Sequence, residues 1–234
     1  MKIRSFMFFL FMANVVIYQG CSRFYFPATA FRRSPPVLVP KQKDNDYHQN
    51  INICYSNNDF LTNSNEYNFS GSLGYALYKY WKFFGLDFQS EMIIGTYWVS
   101  GIEGYDGSKR YFGAHNSLFL GLRFGNDKIG FAFGPQTAFT YEFGPYSDFR
   151  KKAKQAGLIE TDCEDYCFHY HGILNFQFYT KDNVCVFFQG KIGIMEIATL
   201  SIGTTIMKNS LWISMMPPID WPGFTLNFGY SREF

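Results

Sequence analysis

Bulky apolar residues alternate with small or polar residues along most of the chain after residue 47. The closing stretch is a clear example: one face carries Phe224, Leu226, Phe228, Tyr230 and Phe234, and the other carries Thr225, Asn227, Gly229, Ser231 and Glu233. A period of two residues is typical of a β-strand. We count about ten such segments, or eight if residues 184–206 form one long strand or the first segment pairs poorly.

One segment, residues 144–165, departs from the strand pattern. Phe149, Ala153 and Ala156 follow helical spacing, and Ser147 is a candidate N-cap. The sequence therefore predicts one short helix within a loop. The predicted outer face of this helix is basic and carries Arg150, Lys151, Lys152 and Lys154.

The connections between the predicted strands alternate in length. Long connections follow Tyr55, Ser100 and Gly144, and short ones lie at Lys79, Asn126 and Thr180, whereas the last third of the chain is less regular. Barrels that cross membranes have short turns on one side and longer loops on the other, and closure removes exposed sheet edges. These features predict an all-β fold, an antiparallel up-and-down β-barrel of about 8–10 strands.

Composition indicates which way the apolar face points. The aromatic fraction is 21%, the charged fraction is 17%, and the mean hydropathy of −0.14 excludes a helical membrane protein. A soluble barrel would turn its aromatic residues inward and expose a face rich in Lys, Glu and Asp. Here the alternate positions are mostly Gly, Ser, Asn, Ala, Gln and Thr, which suit the crowded interior of a narrow barrel. We therefore expect the aromatic face to contact lipid.

The final strand, which ends in Phe234, resembles the closing strand of bacterial outer-membrane β-barrel proteins. In that class a terminal aromatic strand is the recognition signal for the barrel insertion machinery. The resemblance implies that residues 47–234 form a barrel in the bacterial outer membrane and that Phe234 is read by that machinery. An ordinary edge strand of a soluble β-protein is the alternative interpretation of the same pattern.

The amino terminus resembles a lipoprotein signal peptide. Lys2 and Arg4 precede an apolar run over residues 6–18, and Gly20 precedes Cys21, as in a lipobox. We predict a signal peptide over residues 1–20 and a diacylglycerol or palmitate anchor on Cys21. Tyr18 departs from the lipobox pattern, so a plain signal peptide with an incidental Cys21 is the alternative. Residues 21–46 are proline-rich and basic, which favours a lipid-anchored flexible linker.

Five charged residues fall on the polar face of the predicted strands. These are Asp87, Glu91, Arg123, Glu142 and Lys191. Inside a barrel such charges require partners. We therefore predict a polar cluster in the lumen, either a structural network of salt bridges or a path for protons or ions.

Other candidate chemistry is weaker. His115, His169 and His171 share the polar face, but a metal site needs their rings to converge, and we predict neither metal nor cofactor. Cys163 and Cys167 could form a disulfide only if the chain turns between them, because strand geometry would separate them by about 13 Å.

The function class follows from these features. We expect a non-enzymatic barrel lipoprotein of the cell envelope with a structural or surface-binding role, partnered by the lipid bilayer. One alternative is a lipocalin-like carrier of an apolar ligand. A second is a lipid-modifying enzyme that uses His115 and Ser117, although the chain lacks a Gly-x-Ser-x-Gly motif. A net charge of +2 and the lack of a basic stripe argue against nucleic acid.

Overall fold

The computed structural model describes residues 23–25, 27–31, 35–37, 47–59, 66–81, 83–161, 165–180, 184–193, 198–216 and 224–234. Ten antiparallel strands form a closed barrel. They are β2 (Tyr47–Asp59), β3 (Tyr67–Trp81), β4 (Phe84–Val99), β5 (Gly107–Gly125), β6 (Ile129–Phe143), β8 (Tyr166–Tyr179), β9 (Val184–Gly193), β10 (Thr199–Ile206), β11 (Asn209–Met216) and β12 (Phe224–Glu233). The predicted all-β barrel of about 8–10 strands is confirmed.

The barrel has up-and-down topology. Each barrel strand pairs with the next one along the chain, and β12 pairs with β2 to close the sheet, with Phe228 opposite Tyr55. Two further strands, β1 (Arg23–Phe24) and β7 (Ile159–Glu160), have two residues each and form a separate parallel pair. Helix α1 (Pro145–Gln155) lies in the connection between β6 and β8. Among the described residues, no helix is long and apolar enough to cross a bilayer.

The two ends of the barrel differ in the length of their connections. One end, here called the turn end, has the short connections 82–83, 126–128, 180–183 and 207–208. The opposite loop end has the connections 60–66, 100–106, 144–165, 194–198 and 217–223. The alternation seen in the first part of the sequence therefore continues through the last third, where the sequence pattern was less regular.

The two faces of the barrel wall have opposite chemistry. Large apolar side chains point outward, as Leu73, Met92 and Ile192 show with exposed fractions of 60%, 78% and 70%. The inward positions between them are buried and mostly polar, for example Asn52 and Gln89, although aromatic side chains such as Tyr80 and Phe187 also point inward. This is the orientation that the composition predicts, because small polar residues fit a narrow interior.

Inward glycines leave room for large interior side chains. A Cβ atom on Gly95 would lie 2.2 Å from Cζ of Tyr111, and one on Gly74 would lie 2.6 Å from Cγ of Glu91. Neither distance is compatible with a side chain. Glycines on the inner face therefore make space for large inward side chains of neighbouring strands.

Helix α1 forms where the sequence predicts it, with two local differences. Its N-cap is Gly144 at φ 109°, followed by Pro145, rather than Ser147, because Pro fits the first helical position. Arg150 is buried, so the predicted basic outer face comprises Lys151, Lys152 and Lys154 only.

The described residues between 23 and 37 lie at the loop end and in the barrel interior. They include β1 and a short 3₁₀ helix, Ala28–Phe31. Tyr25, Thr29 and Val37 are all buried and contact side chains of the barrel wall. The sequence assigns this range to a flexible linker, whereas its described residues pack against the interior. Residues 1–22, which include the predicted signal peptide and Cys21, lie outside the described residues.

Candidate functional site

The candidate site is the barrel interior together with the amino-terminal segment, defined here as the described residues between 23 and 37. At the loop end, β1 extends the segment alongside β7, with Arg23 opposite Ile159. The backbone N–H of Tyr25 donates to the carbonyl of Glu160 at 2.9 Å. These backbone bonds attach the start of the segment to the longest loop of the barrel.

Tyr25 anchors the segment through a shared carboxylate. Its hydroxyl donates to Glu66, which also accepts from the hydroxyl of Tyr97 at 3.3 Å and from the backbone N–H of Ser100 at 3.1 Å. The ring of Tyr25 meets the edge of Phe149 at a centroid distance of 5.5 Å. Three separate parts of the loop end therefore converge on this one side chain.

Aromatic rings pack around this anchor at the loop end. Tyr97 of β4 stacks on Tyr146 of α1 at 4.3 Å between centroids, and Tyr111 of β5 lies 6.2 Å from Tyr146. Ala153 and Ile102 complete the same buried cluster. Because such ring pairs add to the free energy of apolar burial, they hold α1 against inward residues of β4 and β5 at the loop end. Helix α1 in this position is called the cap.

A buried ion pair lies directly beneath the cap. Arg150 of α1 donates to Oε1 of Glu142 at 2.9 Å, and the two side chains are 1% and 0% exposed. The backbone N–H of Thr29 donates to Oε2 of the same carboxylate at 3.1 Å, and Arg150 also reaches Oγ1 of Thr161 at 3.4 Å. Glu142 therefore joins the barrel wall, the cap and the amino-terminal segment.

Deeper in the lumen, amide side chains hold the backbone of the segment. The N–H of Val37 donates to Oε1 of Gln189 at 2.8 Å, and its carbonyl accepts from Nδ2 of Asn175 at 3.0 Å. Asn175 also donates to Gln189 at 3.1 Å, so the two amides orient each other. On the other side of the segment, Nε2 of Gln89 approaches the carbonyl of Pro35 at 3.4 Å.

The side chain of Val37 fills an apolar site in this polar interior. It is 0% exposed and packs in one cluster with Phe119, Ala132 and Ile173. Burial of a valine side chain stabilises by about 1.5–3 kcal/mol. Both the backbone and the side chain of residue 37 are therefore recognised.

The five predicted lumen charges are all buried on the inner face. Their partners differ: Asp87 accepts from Gln89 at 2.9 Å and is attracted by Lys191, Glu91 accepts from Ser72 at 2.9 Å, and Arg123 lies over the ring of Tyr80 at 5.0 Å. Glu142 pairs with Arg150, which lies outside the predicted set. The described contacts are local pairs spread over the interior.

The histidines also point inward. His169 and His171 of β8 stack with ring centroids 6.0 Å apart, and His115 of β5 lies opposite Glu91 in the strand register. Within the part of the chain that the structure describes, no three His, Cys, Asp or Glu side chains are grouped to hold a metal ion. Ser117 lies 3.4 Å from Nε2 of Gln136 as an acceptor, which does not make it a nucleophile.

The predicted disulfide stays a prediction. Cys163 lies outside the described residues, and Cys167 is buried at the inner face of β8.

A second, more exposed ion pair supports the cap from outside. Asp165 accepts from Lys151 and from the hydroxyl of Ser147. Partial burial raises the pKa of Asp165, but the two hydrogen bonds and the charge of Lys151 outweigh burial and hold this pKa below its ordinary value. The carboxylate therefore stays charged at neutral pH and ties α1 to the start of β8.

The burial of the amino-terminal segment and of Arg150 was not predicted from the sequence. The burial of Arg150 could have been predicted, because Arg150 lies three residues before Ala153 and so shares the apolar side of the helix. The burial of Tyr25 and Val37 could not be predicted from local spacing, since their partners Glu66 and Gln189 lie 41 and 152 residues away.

No protein-family model and no curated protein matches the sequence. Among solved structures, the outer membrane protein OprG from Pseudomonas aeruginosa is 12% identical, with 83% of this chain and 99% of that chain covered and a TM-score of 0.43. An outer membrane channel from Pseudomonas putida F1 is 8% identical, with coverages of 86% and 100% and a TM-score of 0.43.

A third structure is Ail, the attachment invasion locus protein of Yersinia pestis, in complex with the heparin analogue sucrose octasulfate. It is 10% identical, with coverages of 82% and 100% and a TM-score of 0.32. At such low identities nothing about activity follows for this chain.

Proposed function

We propose that this protein is a non-enzymatic β-barrel lipoprotein of the bacterial outer membrane, with a structural or surface-binding role. The observation that carries the proposal is the inverted barrel wall, apolar outside and polar inside. Leu73, Met92 and Ile192 are each at least 60% exposed. Exposure of such side chains to water forgoes about 1.5–3 kcal/mol each, and soluble monomers rarely expose contiguous apolar patches above a few hundred Å².

The connections support one orientation in the membrane. In barrels of this kind short turns face the periplasm and longer loops face outward. The loop end, with α1 and its basic residues Lys152 and Lys154, is then the surface available to partners outside the cell. Phe234 directly follows β12 at the turn end, where the insertion machinery would read it.

The filled lumen favours a structural or surface role over an open pore. The described residues Tyr25, Thr29 and Val37 of the amino-terminal segment are buried, and the cap packs with Tyr25 at the loop end. The mostly polar inner wall also argues against a lipocalin-like carrier. An apolar ligand needs an apolar cavity, and the inward clusters of Phe187 with Trp212 and of Tyr78 with Tyr80 are small. The enzyme alternative has no supporting geometry among the described residues, since the contact described for Ser117 is to Gln136 and not to His115.

Two measurements test the proposal together. Cells expressing the full chain are labelled with a clickable palmitate analogue and fractionated, and the membrane fraction is run on gels with and without heating. We expect label in the outer membrane, loss of label in Cys21→Ser, and faster gel mobility without heating. A Cys54→Ser variant controls for the loss of a thiol elsewhere. A soluble, heat-insensitive protein would refute the membrane barrel, and full labelling of Cys21→Ser would refute the anchor.

A further inference from the structure

The described residues of the amino-terminal segment lie at different depths in the barrel. Tyr25 contacts Tyr97 near the loop end of β4, and Thr29 contacts Glu142 near the loop end of β6. Pro35 meets Gln89, which is the sixth residue of β4 counted from the turn end. Tyr25 and Thr29 therefore lie near the loop end, and Pro35 lies deeper in the lumen.

The last described residue of the segment lies in the half of the lumen nearer the turn end. Val37 packs against Ala132, Phe119 and Ile173, which are the fourth, seventh and seventh residues of β6, β5 and β8 counted from the turn end. Tyr47, the first residue of β2, lies at the turn end itself. Nine residues separate positions 37 and 47, and an extended chain of that length spans up to about 30 Å. That length is sufficient to reach the turn end from position 37.

The segment is held by specific contacts with the barrel wall, here called the seat of the segment. Gln89, Asn175 and Gln189 come from β4, β8 and β9, and each bonds a backbone atom of residue 35 or 37. Such bonds recognise an extended chain, while the apolar site of Val37 fixes its register. Opposite ends of the segment are thus held by different parts of the barrel.

From this path we propose that the amino-terminal segment is threaded through the barrel, so that the chain before Arg23 emerges at the loop end. This rests on the proposed function for its biological meaning: if loops face outward, an acyl group on Cys21 is presented at the outer surface. The segment is then a tether that crosses the membrane inside its own barrel. Closure of the sheet by β12 and β2 around the segment would lock it in place.

Epitope tags at three positions test the threading in intact cells. One tag is inserted between Ser22 and Arg23, one after Gly104 in a loop-end connection, and one between Asp127 and Lys128 in a turn. Gly104 has open space around it, and both Asp127 and Lys128 are exposed. Antibody binding is measured before and after permeabilisation, and heat-modifiable mobility verifies that each variant folds.

The expected result is that the tag before Arg23 behaves like the tag after Gly104. Co-exposure of these two tags supports threading whichever barrel end faces outward, so a wrong orientation would refute only that part of the proposed function. The threading is overturned if the tag before Arg23 instead follows the tag at Asp127.

A second measurement applies if the first tag prevents folding. In the untagged protein, Val37→Cys and Ile173→Cys are oxidised in membranes, and the crosslink is mapped by peptide analysis. Formation of the 37–173 disulfide supports the seat of the segment. Its absence in a heat-modifiable barrel overturns it.

Discussion

Replacement of Arg150 by Met tests the buried ion pair beneath the cap. The variant keeps the length of the side chain but leaves the carboxylate of Glu142, which is 0% exposed, without its cationic partner. Loss of one partner of a buried pair costs about 3–5 kcal/mol. We expect the free energy of unfolding to fall by about that amount, because the other described donors to the Glu142 carboxylate are the uncharged backbone N–H groups of Ala28 and Thr29.

The assay is equilibrium urea unfolding of the protein in lipid vesicles, followed by tryptophan fluorescence. Lys152→Met is the matched control, since Lys152 is exposed on the same helix and its loss should change stability by less than about 0.5 kcal/mol. The double variant Glu142→Gln with Arg150→Met should be more stable than Arg150→Met alone, because no buried charge is left unpaired. A loss below about 1 kcal/mol in Arg150→Met, or strict additivity in the double variant, would refute this reasoning.

Three further predictions concern other parts of the molecule. The double variant Asn175→Ala with Gln189→Ala should release the segment and raise the conductance of single barrels in planar bilayers, whereas the control Ser214→Ala should leave it unchanged. Equal conductance of the double variant and the unmodified protein would contradict the seat of the segment. Leu73→Lys should destabilise the barrel in vesicles by about 2–4 kcal/mol if Leu73 lies near the bilayer midplane, while Asp127→Lys in the turn should have little effect. Because the pKa of Asp165 is lowered, its stabilisation is present at neutral pH and is lost as pH falls below 3.8 toward the lowered value; Asp165→Asn should abolish this part of the acid dependence in urea titrations.

The strands were predictable because their physical cause is local. A wall with one lipid-facing side imposes a period of two, and every barrel strand from β2 to β12 carries it. The last third was harder to interpret, since the connection 194–198 is short for a loop and resembles a turn in the sequence. Helix α1 was equally readable from its apolar spacing.

The contents of the lumen were not predictable in the same way. Segments with proline and basic residues usually form linkers, and only the contacts of Tyr25 and Val37 with distant strands distinguish this one. The inward charges were identified from the alternation, but their partners were not. Which neighbour a charge meets depends on the shear of the barrel, and a single strand does not reveal it.

The most direct test of the account is the environment of Met92. A spin label at this position, in protein reconstituted into vesicles, is compared with a label at Asp127 in the turn. We predict that the label at Met92 is more accessible to oxygen than to a polar nickel reagent, with the reverse at Asp127. Equal accessibility of both labels to the nickel reagent would contradict a lipid-facing outer wall.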